Sequence, residues 1–282
     1  MKRILTLVAA VAAIMMSTSC DPEFWQLVDD VVAIQKLEGT WEIEKIWMAE
    51  IDKNGKPNDP KEFVNDPGMS FMTFTPDGEL YTYNRDIKDA SGKLTDGVGF
   101  DTYYVKNNEL RIGVYEAGVT SKIQFKGSDQ MLLTVLDDNL HMKIEATFRK
   151  SDFTYDADQL AKDLLVGTFR ARETSSQPLR KKDLGWELAG SALRNTYELS
   201  QKVKAYDFKK DGTCDAGTAV GYDFTRGESA GMELKGHLLR LESKLYKIVS
   251  VDVWGLEFEQ LEIGSDETAS LFRYGFDRFN PR

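Results

Sequence analysis

Leu37-Glu38-Gly39-Thr40-Trp41 returns as Leu165-Val166-Gly167-Thr168-Phe169, 128 residues further along the chain. Each copy opens a β-rich segment, and each segment closes on Phe-Arg, at Phe148-Arg149 and at Phe272-Arg273. Phe74…Asp77-Gly78 recurs as Phe208…Asp211-Gly212 at a spacing of 134. Asn108-Glu109-Leu110-Arg111 recurs loosely as His237-Leu238-Leu239-Arg240 at 129. Echoes in the same order at similar spacing argue for an internal duplication.

Within the first copy the pattern is that of short antiparallel strands. Met69–Thr75 and Glu79–Asn84 flank Pro76-Asp77-Gly78, and Phe100–Val105 and Glu109–Tyr115 flank Asn107-Asn108; both are hairpin turns. Val119, Ile123 and Phe125 alternate with Thr120, Lys122 and Gln124, the period of a half-buried strand. Asn54 to Gly68 and Asn84 to Gly99 read as polar loops. About eight strands in meander order need closure to remove their edges, and an up-and-down barrel supplies it. The expected fold is therefore all-β, with two tandem antiparallel barrels over 37–150 and 164–282. Each follows a short helix, over 20–36 and within the linker 151–163. Asp21-Pro22 gives the first helix an N-cap and a proline at its first position. In the second copy, Leu184, Trp186, Ala189, Leu193 and Tyr197 recur at helical intervals and predict an inserted helix over 183–201.

The first nineteen residues read as an address. Lys2 and Arg3 precede the apolar run Ile4–Met16 and then Ser17-Thr18-Ser19-Cys20, the order of a secretory signal. The run is too short to span a bilayer as a mature helix. Cys20 after small residues resembles the lipobox of bacterial lipoproteins, with Ser17 standing where leucine is usual. The resemblance implies cleavage before Cys20, which would then carry acyl chains, and so a membrane partner held through them. Asp21 and Glu23 resemble sorting signals of two opposite kinds, surface export and inner-membrane retention.

With Gly39-Thr40-Trp41 and Arg149 in hand, the first segment resembles the lipocalin superfamily, and most of all the lipocalin-like lipoproteins of the Bacteroidota. The resemblance implies that a short helix leads into a strand bearing Gly-X-Trp. It also implies that an arginine late in the last strand, Arg149, packs over Trp41 and closes the barrel base. Phe169 and Arg273 take those roles in the second segment. A localisation in the cell envelope, as an outer-membrane lipoprotein, follows from the same resemblance.

The composition narrows the function classes. The formal net charge is −10, which argues against a nucleic-acid partner, since that requires a clustered basic face. Two histidines and two cysteines, one of them Cys20, make no recognisable zinc cluster, and no cofactor motif is present. No nucleophile elbow or phosphate loop appears, so the chain reads as a non-enzyme. Asp29-Asp30, Asp137-Asp138 and Glu257/Glu259 fit turns and solvated faces better than paired catalytic acids. Cys214 lies beside Asp215 in a hairpin. Tyr81, Tyr83, Tyr103, Tyr104 and Tyr115 stand out as candidate ligand-binding residues, because concave sites favour aromatic walls. They are also ordinary strand residues. The expected function is an envelope protein that binds a small apolar or amphiphilic ligand in a barrel. The alternative is a structural or assembly module whose filled barrels contact other envelope proteins.

Overall fold

The computed structural model describes residues 22–52, 56–113, 119–137, 141–182, 185–264 and 268–281. Cys20 and Tyr115 lie outside the described residues. Helix α1 (Pro22–Leu37) leads into β1 (Gly39–Ile51), β2 (Pro57–Val64), β3 (Ser70–Phe74), β4 (Glu79–Lys88) and β5 (Leu94–Lys106). Next come β6 (Glu109–Ile112), β7 (Val119–Lys126), β8 (Gln130–Asp137) and β9 (Met142–Ser151). β3 to β9 pair in chain order, and β1 pairs with both β3 and β9, so 8 antiparallel strands close on themselves. Closure satisfies every edge with a backbone partner. Trp41, Phe74, Leu80, Tyr103, Leu110, Met131 and Phe148 pack together as the core of this barrel.

Two segments expected as loops are strands. Residues 57–64 are exposed throughout, yet they form β2 and pair with the outer half of β1, from Lys45↔Val64 to Ile51↔Pro57. β1 outlasts β3 there, and its remaining backbone donors and acceptors recruit a partner whatever its side chains. Likewise β4 and β5 continue through most of 84–99. They turn at Asp89, whose carboxylate accepts from the amides of Ser91 (2.9 Å) and Lys93 (3.0 Å). The expected turn at Asn107-Asn108 is formed, with both residues left-handed at φ 60° and 59°. Their amides donate to the buried carboxylate of Asp30 at 3.0 and 2.9 Å, which ties α1 to the β5–β6 hairpin.

The second half begins with helix α2 (Ala157–Leu165), capped by Asp156, whose carboxylate accepts from Gln159 N at 2.9 Å. Then follow β10 (Gly167–Lys182), β11 (Gly185–Leu188), β12 (Leu193–Thr196), β13 (Val203–Phe208), β14 (Cys214–Val220) and β15 (Asp223–Ala230). β16 (Met232–Lys235), β17 (Leu238–Leu241), β18 (Lys244–Val251), β19 (Gly255–Ile263) and β20 (Thr268–Phe279) complete the chain. β10 pairs with β13 and β20, and the pairings run β13–β14–β15 and β16–β17–β18–β19–β20. Only Gly231 separates β15 from β16 in the chain.

The helix expected over 183–201 is not formed. β11 and β12 instead pair along the outer part of β10, and Trp186 packs against Leu179, Ala269 and Leu271. Gly185 and Gly190 each weaken a helix by about 1 kcal/mol, and β10 outlasts β13 as β1 outlasts β3. The open strand edge outweighs the weak helical periodicity.

The cation over each of the two paired rings, Trp41 and Phe169, differs from the expectation. In β9, Lys150 sits opposite Trp41, and its ammonium lies 4.5 Å from the ring centroid. Lys150 also donates to the carbonyls of Glu38 and Lys36 at the end of α1. Arg149 points to the other face, where it pairs with Glu42 (3.1 Å) and Glu44 (3.4 Å). Successive strand residues face opposite sides, so only one of the two can reach the indole. In the second half Arg278 lies 4.5 Å over Phe169 and donates to the carbonyls of Leu164 and Val166. Arg273 instead pairs with Glu259 at 3.3 Å. Lys150 and Arg278 are 128 residues apart, the same spacing as Gly39 and Gly167.

The halves share backbone and core. Val98 and Ser250 lie within a short β5–β18 pairing, Val98↔Val251 and Gly99↔Ser250. Val98 and Phe100 belong to the hydrophobic cluster of the second half.

Candidate ligand-binding site

Of the four described tyrosines singled out from the sequence, only Tyr103 faces the first barrel's core. It packs edge-on to Phe74 and donates to Thr75 O at 2.7 Å. In β4, Leu80 points inward, so Tyr81 and Tyr83 point outward by the period of two. Tyr83 stacks on Phe71, Phe153 and Tyr155 and donates to Asp96 at 2.9 Å. Tyr81 donates to Glu79 and packs edge-on to Phe100 at the contact between the halves. Tyr104 is exposed, with Arg111 6.0 Å from its ring centroid. These rings do not converge on one cavity. Tyr81 and Tyr83 instead fasten the outside of the first barrel to the second half and to the linker that carries Phe153 and Tyr155.

The aromatic-lined cavity lies in the second half. It has a volume of about 420 Å³ and is lined by Tyr206, Tyr246, Tyr274, Phe258 and Phe276, with Ala171, Thr174 and Val203 between them. The rings form a continuous wall. Tyr246 and Phe258 have centroids 4.6 Å apart, Phe258 and Phe276 5.0 Å, and Tyr246 meets Tyr274 edge-on at 5.7 Å. The strands explain the convergence. Phe258 pairs with Tyr274 across β19–β20, and two residues on, Leu256 pairs with Phe276, so one face carries all four.

Polar groups gather at the rim. Lys202, Lys204, Glu242 and Lys244 line it together with Tyr197, whose hydroxyl is 3.2 Å from Thr174 Oγ1. Glu242 and Ser243 hold the left-handed turn between β17 and β18, at φ 51° and 70°. Lys204 pairs with Glu242 and lies 5.1 Å over the Tyr206 ring, and Tyr206 donates to Glu242 at 3.4 Å. Burial, and after it the Glu242 carboxylate, pushes the Tyr206 phenol well above its ordinary range. Burial, then the neighbouring Tyr206, pushes Tyr246 up to about 12. Tyr274 is raised by burial and then by Glu262. All three phenols stay protonated at neutral pH and act as hydrogen-bond donors.

The groups weighed as chemistry from the sequence are dispersed. His141 is exposed at a left-handed turn, φ 50°. His237 is stacked on Phe100 at 4.8 Å, with Glu79 and Asp158 each 3.8 Å from one of its nitrogens. Cys214 is buried, and burial followed by the Asp207 and Asp215 carboxylates pushes its thiol up to about 12, against nucleophilic use. Glu257 and Glu259 are taken by Arg172 and by Arg273. The signal that marks the cavity is present in the sequence as the i, i+2 aromatic pair Tyr274/Phe276, but core and cavity walls share that pattern.

No family model matches the chain, and no curated protein matches it. Among solved structures, a redesigned β-barrel shows 15% identity over 43% of this chain and 96% of its own, with a TM-score of 0.23. A DUF3598-family protein of unknown function from Nostoc punctiforme shows 10% identity over 88% of this chain and 98% of its own, with a TM-score of 0.22.

Proposed function

We propose that the chain is a non-enzymatic binding protein of two tandem lipocalin-like barrels, which takes a small apolar or amphiphilic ligand into the second. The tyrosine- and phenylalanine-lined cavity of about 420 Å³ carries this reading. Its size lies within the ordinary range for small-molecule sites, about 300–1,000 Å³, and its balance of apolar wall and few polar groups is typical of them. The N-terminal pattern ending at Cys20 supports an envelope lipoprotein, with two or more acyl chains giving a stable anchor. The binding reading is tested by native mass spectrometry of the purified chain and by titration with an environment-sensitive apolar fluorophore. The Ala171→Trp variant, which fills the cavity, is expected to abolish fluorophore binding; undiminished binding would refute the assignment. The anchor is tested by metabolic labelling with a fatty-acid probe, which Cys20→Ala is expected to eliminate.

A second reading, an assembly module that contacts other envelope proteins, is favoured by a separate observation. Phe63, Val64, Leu193 and Ile263 are large apolar side chains left exposed on or beside the long outer strands. Crosslinking in cells that recovers no protein partner at these positions would remove it.

A further inference from the structure

Hydrogen-bond donors and positive charge outnumber acceptors around the cavity of the second half. Its lining contains three lysines, Lys202, Lys204 and Lys244, against one carboxylate, Glu242, on a chain whose net charge is −10. Lys204 neutralises Glu242 by direct pairing, which screens the carboxylate from an incoming anion. Lys244 reaches Glu262 only at 3.7 Å, with both side chains about half exposed. Lys202 has no ion-pair partner among the described residues.

The phenols carry the same imbalance deeper. Tyr246 is 6% exposed, and neither its hydroxyl nor that of Tyr274 has a hydrogen-bond partner among the described residues. Neither hydroxyl is a buried orphan; both tyrosines line the cavity and leave their donors open to an acceptor that enters it, as the few polar groups of a ligand site do. The wall beneath them is Ala171, Val203, Phe258 and Phe276, which offer apolar contact and no polar side-chain atoms.

We infer that the ligand of this cavity is a single-headed amphipathic organic anion. Its carboxylate meets Tyr246, Tyr274 and the lysines of the rim, and its apolar body rests on Phe258 and Phe276. The inference rests on the ligand-binding reading above and specifies its chemistry. A carboxylate brings acceptors to donors that lack them and a negative charge to the positive rim. A neutral alcohol supplies one acceptor and no charge, and an amine worsens both balances.

The test is calorimetric titration of the full chain with decanoate, 1-decanol and decylamine below their aggregation limits. Decanoate is expected to bind at least about tenfold more tightly than 1-decanol, a difference of about 1.4 kcal/mol. The double variant Lys202→Gln/Lys244→Gln is expected to reduce that preference severalfold by weakening decanoate more than 1-decanol, with circular dichroism reporting that the chain is folded; an unchanged preference would overturn the role of the lysines and with it the anion inference. Tyr246→Phe, which removes only the hydroxyl, is expected to weaken decanoate by a few-fold and 1-decanol less. Equal binding of decanoate and 1-decanol, or a preference for decylamine, would overturn the anion inference and leave the cavity reading standing. Binding of none of the three would overturn both.

Discussion

Replacing Lys150 by methionine separates the two ways the first barrel could be closed, by Lys150 or by Arg149. The substitution keeps an unbranched, flexible stem and removes the charge. The ammonium sits 4.5 Å from the centroid of the fully buried Trp41 ring, a cation–π contact worth about 1–2 kcal/mol when partly desolvated. It also donates to the Glu38 carbonyl at the end of α1, and a charged hydrogen bond contributes about 1.5–3 kcal/mol. Burial disfavours the ammonium and lowers its pKa, so part of this gain is offset. A net loss of about 2 kcal/mol on Lys150→Met is therefore expected. Arg149→Met removes a side chain that is 50% exposed and paired with the buried Glu42 and the more exposed Glu44; pairs open to solvent contribute about 0–1 kcal/mol, and the Glu42 carboxylate keeps the Gly68 amide as a donor. Urea denaturation followed by tryptophan fluorescence measures both. With a slope of about 2 kcal/mol/M, Lys150→Met should lower the midpoint by about 1 M without changing the slope, and Arg149→Met by less than half as much. An Arg149→Met loss equal to or larger than that of Lys150→Met would refute closure by Lys150.

The same comparison in the second half predicts that Arg278→Met destabilises by more than Arg273→Met, since Arg278 lies over Phe169 and caps α2 while Arg273 is an outer-face pair; thermal unfolding measures the difference. Asp30→Ala leaves the amides of Asn107 and Asn108 without their acceptor and should cost about 1–3 kcal/mol, with faster hydrogen exchange at those two amides than elsewhere in the hairpin. His237 gives a pH dependence. Burial lowers its pKa and Lys247 adds to this, while Glu79 and Asp158 act in the opposite direction. The unfolded chain, with an ordinary value of about 6.5, thus takes up its proton at higher pH than the folded one. Stability should be full above about pH 6.5 and fall as pH drops toward the folded value, and His237→Asn should flatten that slope in denaturation series at several pH values; an unchanged slope would show that His237 does not contribute.

The sequence made the strands and the repeat legible because their signals are local. Pro76-Asp77-Gly78 and Asn107-Asn108 set turns by their own backbone preferences, and Asp156 caps α2 within three residues of itself. What the sequence concealed was register. Phe272-Arg273 looks like a copy of Phe148-Arg149, yet Phe148 pairs with Ile43 as Phe276 pairs with Ala171, so Phe276-Asp277-Arg278 is the true counterpart of Phe148-Arg149-Lys150. A dipeptide carries too little information to fix a strand against its partner, whereas the pairing ladder, with a bulge after Ile43 and another after Ala171, fixes it completely. The candidate tyrosines were misplaced for the same reason. Tyr81 and Tyr83 are aromatic strand residues like Tyr206 and Tyr274, and only the register of β4 against Leu80 puts them on the outer face. The strands β2 and β12 were hidden because they form to complete long neighbours, a demand absent from their own polar sequences.

Comparing the halves position by position explains why the aromatic cavity belongs to the second. Trp41 pairs with Met72 where Phe169 pairs with Tyr206, and Phe74 pairs with Leu80 where Phe208 pairs with Cys214. Ile43 opposite Phe148 becomes Ala171 opposite Phe276, and Ile46 opposite Ala146 becomes Thr174 opposite Tyr274. At the last two of these positions the first barrel thus carries its bulk on the aliphatic Ile43 and Ile46 of β1, which can only fill space. The second half withdraws that bulk from β10 and places it on Tyr206 and Tyr274, at positions held by Met72 and Ala146 in the first. Ala171 and Thr174 border the space so opened, Tyr206 and Tyr274 line it with them, and the Tyr206 hydroxyl reaches Glu242 at the rim. Close packing penalises an empty gap through lost contacts, so the proposed ligand would restore to the second half the contacts that the loss of β10 bulk removes. The exchange accounts for both features at once: the volume comes from truncation on one strand, and its chemistry from the tyrosines that took up the bulk elsewhere.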